Sequence, residues 1–138
     1  SPDIVTIAKG IGSGFPMGAI IAREGLTFLP GEHGGTYNGG PLACAAGRAT
    51  LSVVEGILPE VSRKGQLFAE ALSAHNPRQI GLMIGISLGD RCAEVQKKCL
   101  AAGVLTNCAS GSLRLVPPLV ITDEEIETAV GVINEALD

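Results

Sequence analysis

The sequence predicts an α/β chain whose second half is a small α+β module. Short β-branched apolar runs alternate with amphipathic helical stripes, the pattern of a layered sheet-and-helix fold. Glycine clusters at residues 10–18 and 31–40 separate the first of these elements. A proline at position 41 and the pair Thr122/Glu125 mark helix starts.

Taken in order, Ile4–Ala8 reads as a short buried strand stopped by Lys9-Gly10, and Met17–Ala22 as a second apolar strand. Residues 25–40 lack periodicity and form a glycine-rich loop. Pro41 then occupies a first helical position, and Leu42 to Val54 continue the helix until Gly56 and Pro59 break it. A second helix from Glu60 to Ala74 places Val61, Phe68, Ala71 and Leu72 on one stripe. After a turn at His75-Asn76-Pro77, Gly81–Leu88 reads as a buried strand. Asp90 caps a helix running to about Ala102, with Cys92, Val95, Cys99 and Ala102 inward, and Gly103 ends it. Two short strands follow, Val104–Thr106 and Leu113–Val116, the latter stopped by Pro117-Pro118. In the last helix Thr122 and Glu125 form a capping box, with Ile126, Ala129, Val130, Ile133 and Leu137 buried. The composition changes near Gly56. Residues 1–55 therefore read as the tail of a larger domain and 56–138 as a compact small domain.

Composition narrows the class. The chain has 138 residues, 46% hydrophobic and 17% charged, which is globular and not disordered. With three Phe, one Tyr and no Trp, small aliphatic side chains must fill the core. The net charge of −4, with no Lys/Arg block, argues against a nucleic-acid partner. No apolar stretch is expected to reach transmembrane length and no signal segment opens the chain, so a cytoplasmic location is expected. Ser1-Pro2-Asp3 runs directly into a strand pattern without an initiator Met, as in a chain cut from something longer. Cys44, Cys92, Cys99 and Cys108 form no C-x-x-C pair and have no His nearby, which argues against a zinc site. Cys44, Cys92 and Cys99 are expected as small buried hydrophobes of a reducing compartment.

Three places carry chemistry. Lys9 ends an apolar run and opens Gly10-Ile11-Gly12-Ser13-Gly14-Phe15-Pro16, where small residues let another molecule approach a reactive amine. The glycines do not form a dinucleotide motif, because Phe15-Pro16 and a strand follow where a helix should open. The loop Gly34-Gly35-Thr36-Tyr37-Asn38-Gly39-Gly40-Pro41 offers a hydroxyl, flexible backbone amides and an adjoining helix N-terminus, a combination suited to phosphate. Arg114 alternates with Leu113 and Leu115 on a short strand, where a guanidinium can grip a carboxylate in bidentate fashion. His33, beside the phosphate-like loop, is either a general base or a histidine bonded to the loop backbone.

Lysine, phosphate loop and arginine occur in the order and chemistry of a pyridoxal-phosphate enzyme. The stretches PDIVTIAKGIGSGFPMGAIIA, GEHGGTYNGGPLACAAG and LRLVPPLVIT resemble class III aminotransferases of the acetylornithine/ornithine type, over nearly the whole chain. The resemblance implies the C-terminal third of a fold-type I transferase that uses pyridoxal 5'-phosphate. It implies that Lys9 is the catalytic lysine binding the cofactor aldehyde, and that Thr36 binds the cofactor phosphate from the neighbouring subunit of a homodimer. Arg114 is then the substrate-binding arginine for the α-carboxylate, and Gly35 stands at a substrate-contacting position often held by Ser or Thr. The chain departs from the family pattern at Gly35, at Ser13, in the order Asn38-Gly39-Gly40-Pro41 and in a segment missing before Gly81. The implied reaction moves the terminal amine of N-acetylornithine to 2-oxoglutarate, in arginine biosynthesis. Ornithine, 4-aminobutyrate and a lysine-pathway amine are the related choices, and a non-catalytic α+β remnant acting by association is the other class. The family's ring-binding groups lie upstream of Ser1, so the chain alone is expected to be inactive.

Overall fold

The computed structural model describes residues 1–138, which divide into two compact units, Ser1–Gly56 and Ile57–Asp138. In the first unit, β1 (Ile4–Ile7) pairs antiparallel with β2 (Ala19–Ala22), Ile4 opposite Ala22 and Ile7 opposite Ala19. The Arg23 amide donates to the Asp3 carbonyl at 2.9 Å and the two side chains pair, which extends the ribbon by one step. A 3-10 turn, Lys9–Gly12, follows β1. The second strand begins two residues later than the apolar pattern implied, because Met17 packs as a loop residue instead.

Helix α1 runs unbroken from Pro41 to Ala71 and contributes to both units. The expected break at Gly56 and Pro59 does not occur. Pro59 deprives the Glu55 carbonyl of its helical donor, but Leu58, Pro59 and Glu60 are exposed, so that carbonyl is free to bond water. The merged helix has 31 residues and is long and apolar enough to cross a membrane by length and composition, contrary to the sequence expectation. The expected end at Ala74 also shortens, since a separate 3-10 turn, Ser73–His75, follows.

The second unit holds the core. A four-stranded antiparallel sheet has the order β3 (Arg78–Ile80), β4 (Met83–Ser87), β6 (Ser112–Leu115), β5 (Asn107–Ala109). Ile84, Ile86, Leu113 and Leu115 point to one face, where they cluster with Phe68 and Leu72 of α1, with α2 (Cys92–Ala101) and with α3 (Asp123–Leu137). Small aliphatics fill this core, as the shortage of aromatics required. The capping box of α3 forms as expected: the Glu125 amide donates to Thr122 Oγ1, and the Thr122 amide donates to Glu125 Oε2. Ile126, Ile133 and Leu137 are buried, joined by Ala136.

Further expectations are corrected in the strands, in α2 and among the cysteines. Strand β3 was not anticipated; a two-residue turn at Gly81-Leu82 with Gly81 at φ 53° pairs it with β4. Strand β5 lies three residues beyond the expected Val104–Thr106. Gly103, at φ 87°, closes α2 with the Val104 amide still bonded to the Cys99 carbonyl, and Gln96 takes the Thr106 carbonyl. Ser110 and Gly111, both at positive φ, then set a tight hairpin that fixes β5 at Asn107–Ala109. Asp90 does not cap α2 but sits in a 3-10 turn, Gly89–Arg91, and Ala102 and Ala71 are exposed. Finally, Cys92 and Cys108 form a disulfide and Cys44 is exposed, so only Cys99 is a buried free thiol.

Candidate active site

Lys9 is the first residue of the 3-10 turn and holds φ at 57°, a left-handed conformation that an L side chain adopts at a cost. Ser13, which follows the turn, is also left-handed at φ 46°. Its backbone bonds run from the Ile11 amide to the Ala8 carbonyl, from Ser13 to Gly10 and from Phe15 to Gly12. Lys9 is exposed, and no carboxylate pairs with its ammonium. The amine is therefore available to an incoming carbonyl.

The loop before α1 is organised by Asn38, which the sequence reading did not single out. Its amide donates to the Gly35 carbonyl at 3.1 Å, and its side-chain nitrogen lies 3.2 Å from His33 Nε2. The same side chain covers Gly35 so closely that a Cβ there would stand 2.8 Å from it. A side chain at position 35 would therefore require Asn38 to swing aside. Of the glycines in this loop after Glu32, only Gly39 takes a positive φ. Thr36 is exposed, on a loop leading to the α1 N-terminus, whose first amides lack helical partners. His33 stacks on Phe28 with ring centroids 4.6 Å apart and is held by Asn38 rather than by backbone. A cavity of about 780 Å³ adjoins these residues, lined in part by Met17, His33, Tyr37, Asn38 and Cys44.

In the second unit, Arg114 is exposed while Leu113 and Leu115 are buried, the alternation expected of its strand. The strand is not at the sheet edge. β6 lies between β4 and β5, with Gly85 and Asn107 directly opposite Arg114. Gly85 puts no side chain beside the guanidinium, which leaves that face of the sheet open. Arg78 stands on the far side of Gly85, and its guanidinium reaches Ser112 Oγ at 3.4 Å. Neither arginine has a carboxylate partner. Arg78 could have been found only from the register, because β3 is three residues long and its pattern too short to read.

Lys9, Gly35 and Thr36 thus belong to the first unit and Arg114 to the second. The family profile described as aminotransferase class-III matches residues 1–137. Among curated relatives, the acetylornithine aminotransferase of Aquifex aeolicus is 43% identical over 142 residues, covering 99% of this chain and 38% of its own length. That of Methanosarcina mazei is 46% identical over 144 residues, covering 98% and 36%. The ornithine aminotransferase of Toxoplasma gondii, whose crystals show partial occupancy of PLP at the active site, superimposes with a TM-score of 0.90 at 30% identity. It covers 98% of this chain, which spans 36% of it. The acetylornithine aminotransferase of Elizabethkingia anophelis gives 0.88 at 30% identity over 99% of this chain and 40% of its own. The chain therefore spans somewhat over a third of the length of the curated relatives it matches. It belongs to the class-III aminotransferase family.

Proposed function

We propose that this chain contributes the catalytic lysine, a phosphate loop and the carboxylate-binding arginine to a pyridoxal-phosphate-dependent aminotransferase. The amino donor is N-acetylornithine or a similar ω-amino acid, the acceptor is 2-oxoglutarate, and the pathway is arginine biosynthesis in the cytoplasm. The observation that carries the reading is Lys9: an amine without a counter-ion, on a left-handed backbone, opening a glycine turn. The names of relatives at 43% and 46% identity support the choice of donor.

The donor set fits the cofactor. Lys9 supplies the primary amine, Thr36 a hydroxyl on a loop that runs into a helix N-terminus, and Arg114 an unpaired guanidinium on an open sheet face. When bound, pyridoxal phosphate supplies an aldehyde that takes up the amino group and a ring that accepts electrons. Lys9 would hold it and move the proton at the substrate carbon that carries the reacting amine, acting as general base and acid. Thr36 would bind the phosphate in the site of a second copy, and its exposure together with that of Tyr37 and Leu42 favours this homodimeric arrangement. Arg114 would orient the α-carboxylate, with Gly35 beside the substrate.

Residues 1–55 act in this reading as the tail of the large domain and 56–138 as the small domain. The first unit has one aspartate, Asp3, and Arg23 already pairs with it at 2.9 Å. No unpaired aspartate is thus left there to partner the ring nitrogen. The 138-residue chain alone is accordingly expected to be inactive, although Lys9 is expected to react. The test is to add pyridoxal phosphate, reduce with borohydride and map the adducts by mass spectrometry. One adduct at Lys9 supports the reading, and its loss in Lys9→Ala follows. Labelling scattered over Lys64, Lys97 and Lys98, or none, leaves the non-catalytic remnant as the better account.

A further inference from the structure

We propose that Met17 is a positioning residue for Lys9, its thioether forming a clamp between the lysine turn and helix α1. Two glycines make the slot. A Cβ on Gly12, the last residue of the turn, would stand 2.9 Å from Met17 Cγ, and one on Gly47 of α1 would stand 2.9 Å from Met17 Cε. The sulfur lies as near, 3.2 Å from the first of these positions and 3.1 Å from the second. Gly12 and Gly47 are the two buried residues of the first unit, whose other residues are half-buried or exposed. The contact is therefore the centre of packing for the first unit. The Gly47 position also lies 3.9 Å from the Ile11 carbonyl, so the turn itself rests against the helix.

Such a clamp answers a need the turn creates. Lys9 and Ser13 hold left-handed backbone conformations at both ends of the turn, and such conformations persist only where surrounding contacts impose them. Unclamped, the backbone at Lys9 would relax and its amine would lose a defined direction. Methionine suits the slot because it is unbranched and lies flat across two glycines where a β-branched side chain would clash. The proposal deepens the aminotransferase reading, since the direction of Lys9 matters only if its amine reacts.

The test uses the full chain with Met17→Ala, Gly47→Leu and Met17→Leu, and two readouts. Hydrogen exchange at the Ser13 and Phe15 amides reports the turn, and exchange at Ile86 and Leu113 reports the second unit. Reductive labelling by pyridoxal phosphate, compared between Lys9 and Lys64, reports the amine. Met17→Ala empties the slot, and Gly47→Leu puts a side chain of similar size into the space that Met17 fills. Either should speed exchange of the turn amides by on the order of ten-fold or more, with Ile86 and Leu113 unchanged. Lys9 labelling should fall toward that of Lys64, and Met17→Leu should keep both readouts close to the unsubstituted chain. Unchanged turn exchange in both disruptive variants, or no turn protection in the unsubstituted chain, overturns the clamp. So does loss of protection in both units, which would make Met17 a general packing residue. A chain whose turn responds as expected but whose Lys9 never labels refutes the aminotransferase reading and leaves the clamp standing.

Discussion

Arg63 of α1 donates to Glu60 on its own helix and to both carboxylate oxygens of Asp123 at the start of α3, at 3.1 and 2.8 Å. The guanidinium holds the Asp123 and Glu60 carboxyls below their ordinary values of 3.8 and 4.5, and the Thr122 backbone amide does the same for Glu125. A carboxyl depressed in the folded state stabilises it fully above its unfolded value and loses that contribution as pH falls through the folded one. Thermal unfolding of the second unit should therefore be flat above about pH 5 and weaken steadily below it. Asp123→Asn should flatten that acid limb, and added salt should shrink it because these groups are exposed. The cap itself is tested by Thr122→Ala, which should lower stability by about 1 kcal/mol in denaturant unfolding. Leu113, with no exposed surface, should cost more: Leu113→Ala is expected to remove about 2–5 kcal/mol. Much at this scale was legible in the residues. Thr122 with Glu125, the alternation around Arg114 and the setting of Lys9 could all be read because each signal is local. The roles of Asn38 over Gly35 and of Met17 over two glycines could not, because each depends on a side chain arriving from elsewhere.

Helix α1 shows how local signals fail at the scale of an element. Gly56 and Pro59 are breakers by propensity, yet the helix passes through both, because an exposed helix surface tolerates one lost hydrogen bond. Gly65 shows the opposite case. It is buried, and a Cβ there would run into the Gly81 carbonyl, where the β3–β4 turn lies against the helix. Alanine is the better helix former by about 1 kcal/mol, so propensity alone predicts that Gly65→Ala stabilises. The contact predicts strong destabilisation; a lower unfolding midpoint for Gly65→Ala, beside a raised one for Gly56→Ala, where nothing lies within 4 Å, decides between them. The Cys92–Cys108 bond joins the first turn of α2 to the edge strand β5 across 16 residues of sequence. Closing a loop of that size is worth about 3 kcal/mol in the chain-entropy account. A reductant, or Cys108→Ser, should therefore lower the second unit's unfolding midpoint. The cysteine pattern gave no such pairing, because partners in a disulfide are chosen by the hairpin that brings β5 beside α2.

Across the whole molecule, apolar burial is divided unequally between the units. The clustered core residues all lie in the second unit, whereas Ile4, Ile20, Ile21, Phe28, Leu29 and Tyr37 of the first remain exposed. A two-stranded ribbon without a covered face is marginal in water. Limited proteolysis should therefore cut within residues 1–40 long before it cuts the second unit, as mass mapping of the fragments would show. Equal rates in both would contradict the inequality of their cores. The sequence by itself determined the family, the alternation of strands and helices and the α3 cap, since motif, period and capping are short-range properties. Tertiary structure alone decided that α1 is continuous, that Arg114 stands on an inner strand facing a glycine, and that Cys92 bonds Cys108. It alone also placed Met17 between the lysine turn and the helix. Each of these depends on which distant residues are brought into contact, and a contact is a property of packing that no local pattern encodes.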